Sequence, residues 1–165
     1  MNGIYIHIPD PSLDLVIERV VDVPAHLIWK VWTTPELIMQ WFAPKPWTSP
    51  SCEIDLRPGG MFSVTMRGPD GEEFSGPGCH LEVIENKKLV WTSAMGPGFR
   101  PVKVEEEAFL FTAIFTLEES EAGTHYKVIV VHADAEAKEK HEGMGFYTGW
   151  GTVTDQAIDL ARTLA

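Results

Sequence analysis

On an extended strand, side chains two residues apart point to the same face, so His80 and Glu82 are a pair whose types and spacing could move a proton. Facing a concave interior, they would be an acid-base or ligand-orienting couple. Facing solvent, they would be a polar pair opposite Cys79, Leu81 and Val83. His132 shares the inward parity of Tyr126, Val128 and Val130, which sets it at the rim of the same interior. His132 with Asp134, or His141 with Glu142, offers too few converging ligands for a metal, and none is expected. No Gly-x-Ser-x-Gly elbow, His-Glu-x-x-His pair, phosphate-binding glycine loop or dinucleotide fingerprint occurs, so no cofactor is expected and no catalytic motif speaks for an enzyme.

A second chemistry is carried by aromatic rings. Six tryptophans are many for 165 residues. Trp29 and Trp32 suit core packing on a short helix. Trp41, Trp91 and Trp150 fall on three elements expected to surround an interior, with Phe62, Met66, Phe111 and Phe146 as neighbours. Apolar walls with few polar groups fit a flat hydrophobic ligand, which His80, Glu82, Tyr126 or His132 would orient.

The elements that must hold these residues follow from periodicity and turn chemistry. A loose leader, residues 1–12, precedes a strand over Leu13 to Val21. Pro24 then opens a short amphipathic helix over Ala25 to Thr33, with Ile28, Val31 and Trp32 on one side. Thr34 and Pro35 start another, Leu37, Ile38 and Trp41 facing inward, before Pro44 and Pro46 stop it. Period-two alternation resumes from Ser51 to Arg57, reverses at Pro58-Gly59-Gly60, continues through Phe62 to Arg67 and turns at Pro69-Asp70-Gly71. Glu73 to Ile84 and Lys88 to Ala94 make the next pair, with a bulge expected at Gly76-Pro77-Gly78. Gly96-Pro97-Gly98 opens a loop. Phe109 to Leu117 and Tyr126 to His132 form a long hairpin around Glu119 to Gly123. Beyond Ala133, Phe146, Trp150, Val153, Ala157, Leu160 and Leu164 recur every three or four residues as the apolar stripe of a closing helix. Gly143, Gly145, Gly149 and Gly151 weaken its first half, so that it begins late or bends.

One strand, two short helices, six antiparallel strands and a long helix make an α+β fold of about seven strands. A sheet of this size twists and curls, and a helix across its concave side leaves space between them. That space is the candidate site.

Several stretches carry a family resemblance: Val23-Pro24-Ala25-His26-Leu27-Ile28-Trp29-Lys30-Val31-Trp32-Thr33-Thr34-Pro35, Trp41-Phe42-Ala43-Pro44, Asp55-Leu56-Arg57-Pro58-Gly59-Gly60-Met61-Phe62, Gly68-Pro69-Asp70-Gly71, Gly123-Thr124 and Gly149-Trp150. In their order and spacing they resemble the START-like superfamily of birch-pollen-allergen, polyketide-cyclase and lipid-transfer proteins. They resemble, more closely, the branch related to the C-terminal domain of the activator of the heat-shock-protein-90 ATPase. The resemblance implies the helix-grip fold and not one activity, because that branch is functionally mixed. The ATPase activator has a separate N-terminal domain for which 165 residues leave no room.

Composition bounds the partners. With 44% hydrophobic residues, the length suits one domain with a substantial core. A net charge of -11, with lysines and arginines scattered singly apart from Lys87 and Lys88, argues against nucleic acid and anionic membranes. Cys52 and Cys79 lack clip or redox spacing and read as two buried free thiols. Neither a secretory signal nor a membrane-length apolar run appears, so the cytoplasm is the expected compartment. The leading expectation is a binding protein for a small hydrophobic or aromatic molecule, with a homodimer allowed. One rival is a cofactor-independent cyclase, dehydratase or hydrolase using His80 and Glu82. Another is a protein-interaction module that docks through the loop Gly96 to Glu107.

Overall fold

The computed structural model describes residues 5–103 and 109–165. Strand β1 (Asp14–Val21) leads into helices α1 (Ala25–Thr33) and α2 (Pro35–Trp41). Strands β2 (Thr48–Ile54), β3 (Phe62–Arg67), β4 (Glu73–Phe74), β5 (Cys79–Ile84) and β6 (Lys88–Thr92) follow. The short β7 (Met95–Gly96) and β8 (Arg100–Pro101) precede the long hairpin β9 (Phe111–Ser120) and β10 (Gly123–His132). Helices α3 (Ala135–Gly143) and α4 (Phe146–Thr163) close the chain.

One sheet runs β1-β10-β9-β6-β5 and a second β2-β3-β4, all antiparallel. A bridge between Met61 and Cys79, and a 3.0 Å bond from the Phe62 amide to the Gly78 carbonyl, stitch them into one curved layer. The expected strand over Glu73 to Ile84 is therefore two strands in two sheets. Gly76-Pro77-Gly78 is not a bulge but the seam, and a Cβ on Gly78 would lie 2.2 Å from the Phe62 carbonyl oxygen. The true bulge falls at Leu81, because His80 stands opposite Trp91 while Glu82 stands opposite Val90. The Gly96 loop pairs β7 with β8, and the Gly98 amide donates to the Gly59 carbonyl at 2.8 Å. Residues 104–107 of the suggested docking loop lie outside the described residues.

The concave face of the sheet carries the main core, from Leu15 and Ile17 through Phe115 and Leu117 to Val128 and Val130. On the convex face Val90, Ile114 and Ile129 form a smaller apolar cluster, flanked by Val16, Leu81 and Val131. From residue 5 onward the leader is not loose. Lys88 Nζ donates to the Tyr5 carbonyl at 2.8 Å, and the His7 ring meets the Asp14 carboxylate at 2.7 Å. Those anchors sit on β6 and β1, which flank β9 and β10, so the segment straps the convex cluster.

Gly145, at φ +86, breaks the closing helix in two, as its glycines foreshadow. Asp134 caps α3, its carboxylate accepting from the Ala137 amide at 2.8 Å. The expected Thr34 side-chain cap on α2 is absent. A carboxylate from the sheet stands at the start of α1, Glu119 Oε1 accepting from the Ala25 amide at 2.8 Å. Cys79 is fully buried, but Cys52 only half so, and burial raises its thiol to about 11.

Candidate functional site

The two halves of α4 meet the sheet layer differently. Its C-terminal half brings Ala157, Ile158 and Ala161, all buried, against the core that α1 completes, and the small alanines permit close approach. Its N-terminal half presents Gly149, Trp150, Val153 and Thr154 to a cavity of about 360 Å³. A Cβ added to Gly149 would meet no atom within 4 Å. Exposed Gly76 and Pro77 and half-buried Pro44 and Met66 mark where the cavity meets solvent.

Aromatic rings in mutual contact build its wall. Trp32 stacks on Phe115 at 4.5 Å and tilts against Trp41 at 4.8 Å. Trp41 reaches Phe42, Phe42 reaches Phe62, and Phe62 meets Trp91 at 4.8 Å. Trp91 touches Phe111 at 5.4 Å, which in turn meets Trp150 at 5.9 Å. All are within the centroid range of favourable ring pairs. Trp41 is held further by its indole N–H, which donates to the Val31 carbonyl at 2.8 Å. Gln156 on α4 donates to the Trp41 and Ala43 carbonyls, 2.9 Å each, and so fixes α4 to the end of α2.

Polar atoms in this wall are few. Burial pushes the Tyr126 hydroxyl well above the ordinary phenol range, only partly offset by Thr154 and Arg19. The Trp32 and Trp91 indole nitrogens have no hydrogen-bond partner and are sealed within the packing. Ser93 is engaged with the Phe111 backbone, accepting from its amide at 3.0 Å. His141 is different. Its ring lies among Phe109, Phe111, Phe146 and Trp150, and its Nδ1 faces His132 Nε2 at 2.9 Å. His132 Nδ1 in turn faces the Leu13 carbonyl at 2.8 Å. Burial, reinforced by His132, lowers His141 to about 4.

A family model described as Activator of Hsp90 ATPase homolog 1-like protein matches residues 22–161. The chain belongs to this family. A crystal structure of a protein from Nitrosomonas europaea is 40% identical, with a TM-score of 0.88 over 94% of this chain and 97% of that one. A crystal structure from Rhodobacter sphaeroides, 17% identical, has a TM-score of 0.80 over 94% and 95% of the two chains. A solution structure of an AHSA1-like protein from Aeromonas hydrophila, 18% identical, has a TM-score of 0.69 over 92% and 94%. The last two show the shared helix-grip fold. No curated protein matches the sequence.

In this Hsp90-activator-like chain, seven of the sequence-predicted residues line the cavity: Trp41, Phe62, Met66, Trp91, Phe111, Tyr126 and Trp150. Phe146 does not; it is buried behind Trp150 and His141, 5.2 and 5.1 Å from their rings. His132 also stands one layer back. His80 and Glu82 do not form a couple. The Leu81 bulge turns Glu82 to the convex face, where it pairs with Lys88 at 3.0 Å. His80 turns inward but is sealed behind Phe62, its Nδ1 donating to the Asp55 carbonyl at 3.1 Å, and its Nε2 is buried without a partner. That bond, with the Gly59 and His80 amides donating to the His80 and Gly60 carbonyls at 2.7 and 2.9 Å, ties the family's Asp55-to-Gly60 turn to β5. Sequence reasoning missed Trp32 and His141 as wall residues, weighing His141 only with Glu142 for a metal. An inward His132 followed nine residues later by another histidine, across a single strand-to-helix turn, was the available signal.

Proposed function

We propose that this protein binds a small, flat, apolar molecule in the cavity between the curved sheet and the N-terminal half of α4. The carrying observation is the void itself: about 360 Å³ lies within rings that touch one another and yet leave the centre unfilled. Interiors normally pack to crystal-like density, so an apolar space of this size is a place where a guest gains dispersion contacts that the fold forgoes. Family membership is compatible with binding and with co-chaperone roles alike. The low basicity of His141 favours binding over proton transfer, because a ring lowered to about 4 is almost never in its charged, doubly protonated form at neutral pH and is a weak base there.

Gly149 offers the test. Replacing it with leucine adds a side chain where the cavity is open and relieves a glycine within a helix, so the fold is kept. Tryptophan fluorescence titrated with methylnaphthalene should saturate in the wild type, since Trp32, Trp41, Trp91 and Trp150 all line the space. Gly149→Leu should weaken that binding about tenfold or more at an undiminished melting temperature. Non-saturating signals, or equal affinity in the variant, would remove the proposal. Native mass spectrometry of protein from its own host would then identify the natural guest.

A further inference from the structure

We infer that the cavity selects apolar molecules carrying a hydroxyl-type hydrogen-bond donor, and that His141 Nε2 is the acceptor that reads it, an assignment that rests on the binding proposal above. The argument is one of proton placement. A backbone carbonyl only accepts, so the 2.8 Å contact of His132 Nδ1 with the Leu13 carbonyl requires the proton on that nitrogen. Neutral His132 then has a bare Nε2. The 2.9 Å contact between this nitrogen and His141 Nδ1 must be filled by a proton from His141. Neutral His141 is left with a lone pair on Nε2.

Each step fixes the next, and the chain ends at the cavity. His141 is a cavity-lining residue, and its Nε2 has no partner among the described residues. Unlike the two sealed indole nitrogens, Nε2 is not among the fully enclosed unpartnered atoms. The other polar side chains in the wall have partners or are shut in: Ser93 is bonded to Phe111, and Tyr126 lies against Thr154. A guest hydroxyl would therefore meet an unpaired acceptor at His141, set among aromatic rings, while the Tyr126 and Thr154 hydroxyls lie against each other. A carboxylate at His141 would meet a lone pair, and no lysine or arginine is among the described residues that line the cavity. Phe109, Phe111, Phe146 and Trp150 surround the His141 ring, and this burial, with His132 beside it, makes the ring less basic and keeps it neutral. His132 touches no guest and is a positioning residue, holding the His141 tautomer in place.

Four matched probes separate this inference from the binding proposal: naphthol, methylnaphthalene, methoxynaphthalene and naphthoate. Wild-type protein should bind naphthol about tenfold tighter than the methyl and methoxy compounds, which lack the donor, and should reject naphthoate. In His141→Phe the preference should vanish while methylnaphthalene still binds. Equal binding of naphthol and methylnaphthalene by the wild type would overturn the His141 assignment and leave the cavity proposal standing. Failure of every probe to bind would defeat both. Histidine ring nitrogen-15 spectra need no ligand: both His132 and His141 should appear as Nδ1–H tautomers near neutral pH. In His132→Phe the His141 ring should lose that fixed tautomer. An Nε2–H signature for His141 in the wild type, or an unchanged one in His132→Phe, would overturn the inference.

Discussion

His80 and His141 are both buried histidines on the concave side, both made less basic chiefly by burial, and they serve opposite ends. His80 gives its Nδ1 proton to the Asp55 carbonyl and shuts its other nitrogen into the packing behind Phe62. His141 uses Nδ1 inside the fold, its ring lines the cavity, and its Nε2 is not sealed in the packing. Burial and a displaced titration therefore do not make a site. What separates the two rings is where the second nitrogen ends.

That contrast can be broken by experiment. His80→Ala should cost about 3 kcal/mol in urea unfolding, from lost packing and a freed turn, while leaving the preference among the naphthalene probes intact. A cost within about 0.5 kcal/mol, the range of an ordinary surface substitution, would erase the distinction. Acid should act on both rings. Both histidines are less basic in the folded state than their ordinary value near 6.5, so below 6.5, and for His141 down to about 4, the unfolded chain binds more protons. Folding stability is then full above 6.5 and declines as pH falls towards 4. His141 alone accounts for up to about 3 kcal/mol of that decline, an upper bound. Urea midpoints at pH 7.5, 5.5 and 4.5, roughly spanning that window, would measure it, and His141→Phe should flatten the slope in part. At neutral pH His141→Phe should itself cost about 1 to 2 kcal/mol, because His132 Nε2 loses its donor, and should abolish the naphthol preference. The smallest effect belongs to Gly149→Ala: about 0.5 to 1 kcal/mol of added stability, read as a small rise in melting temperature.

Much of this architecture was legible in the sequence. Alternation in β9 and β10 and the proline-led α1 and α2 are strong local signals, and most of the aromatic wall followed from which faces they buried. The failures have definite causes. Period two holds only while a strand is regular, and the extra residue at Leu81 sends Glu82 outward although His80 stays inside. His141 lies in a helix whose other residues are half-buried or exposed, so no apolar stripe marks it. It becomes a wall residue because the turn after His132 lays α3 beside the end of β10, and Gly145 ends that helix before α4. Trp32 reads first as core packing because helical spacing gives direction but does not reveal where packing stops.

The N-terminal strap has its own consequence. Val90, Ile114 and Ile129 lie on the sheet face spanned by a few residues that one ammonium group and one imidazole clip in place. Shorten the chain to begin at Pro11 and an oily ridge is bared along the outside of the molecule, far from any guest. Such a truncation should self-associate on gel filtration while its ligand chamber still works, so stickiness and recognition in this protein are separable properties of opposite sides of one sheet.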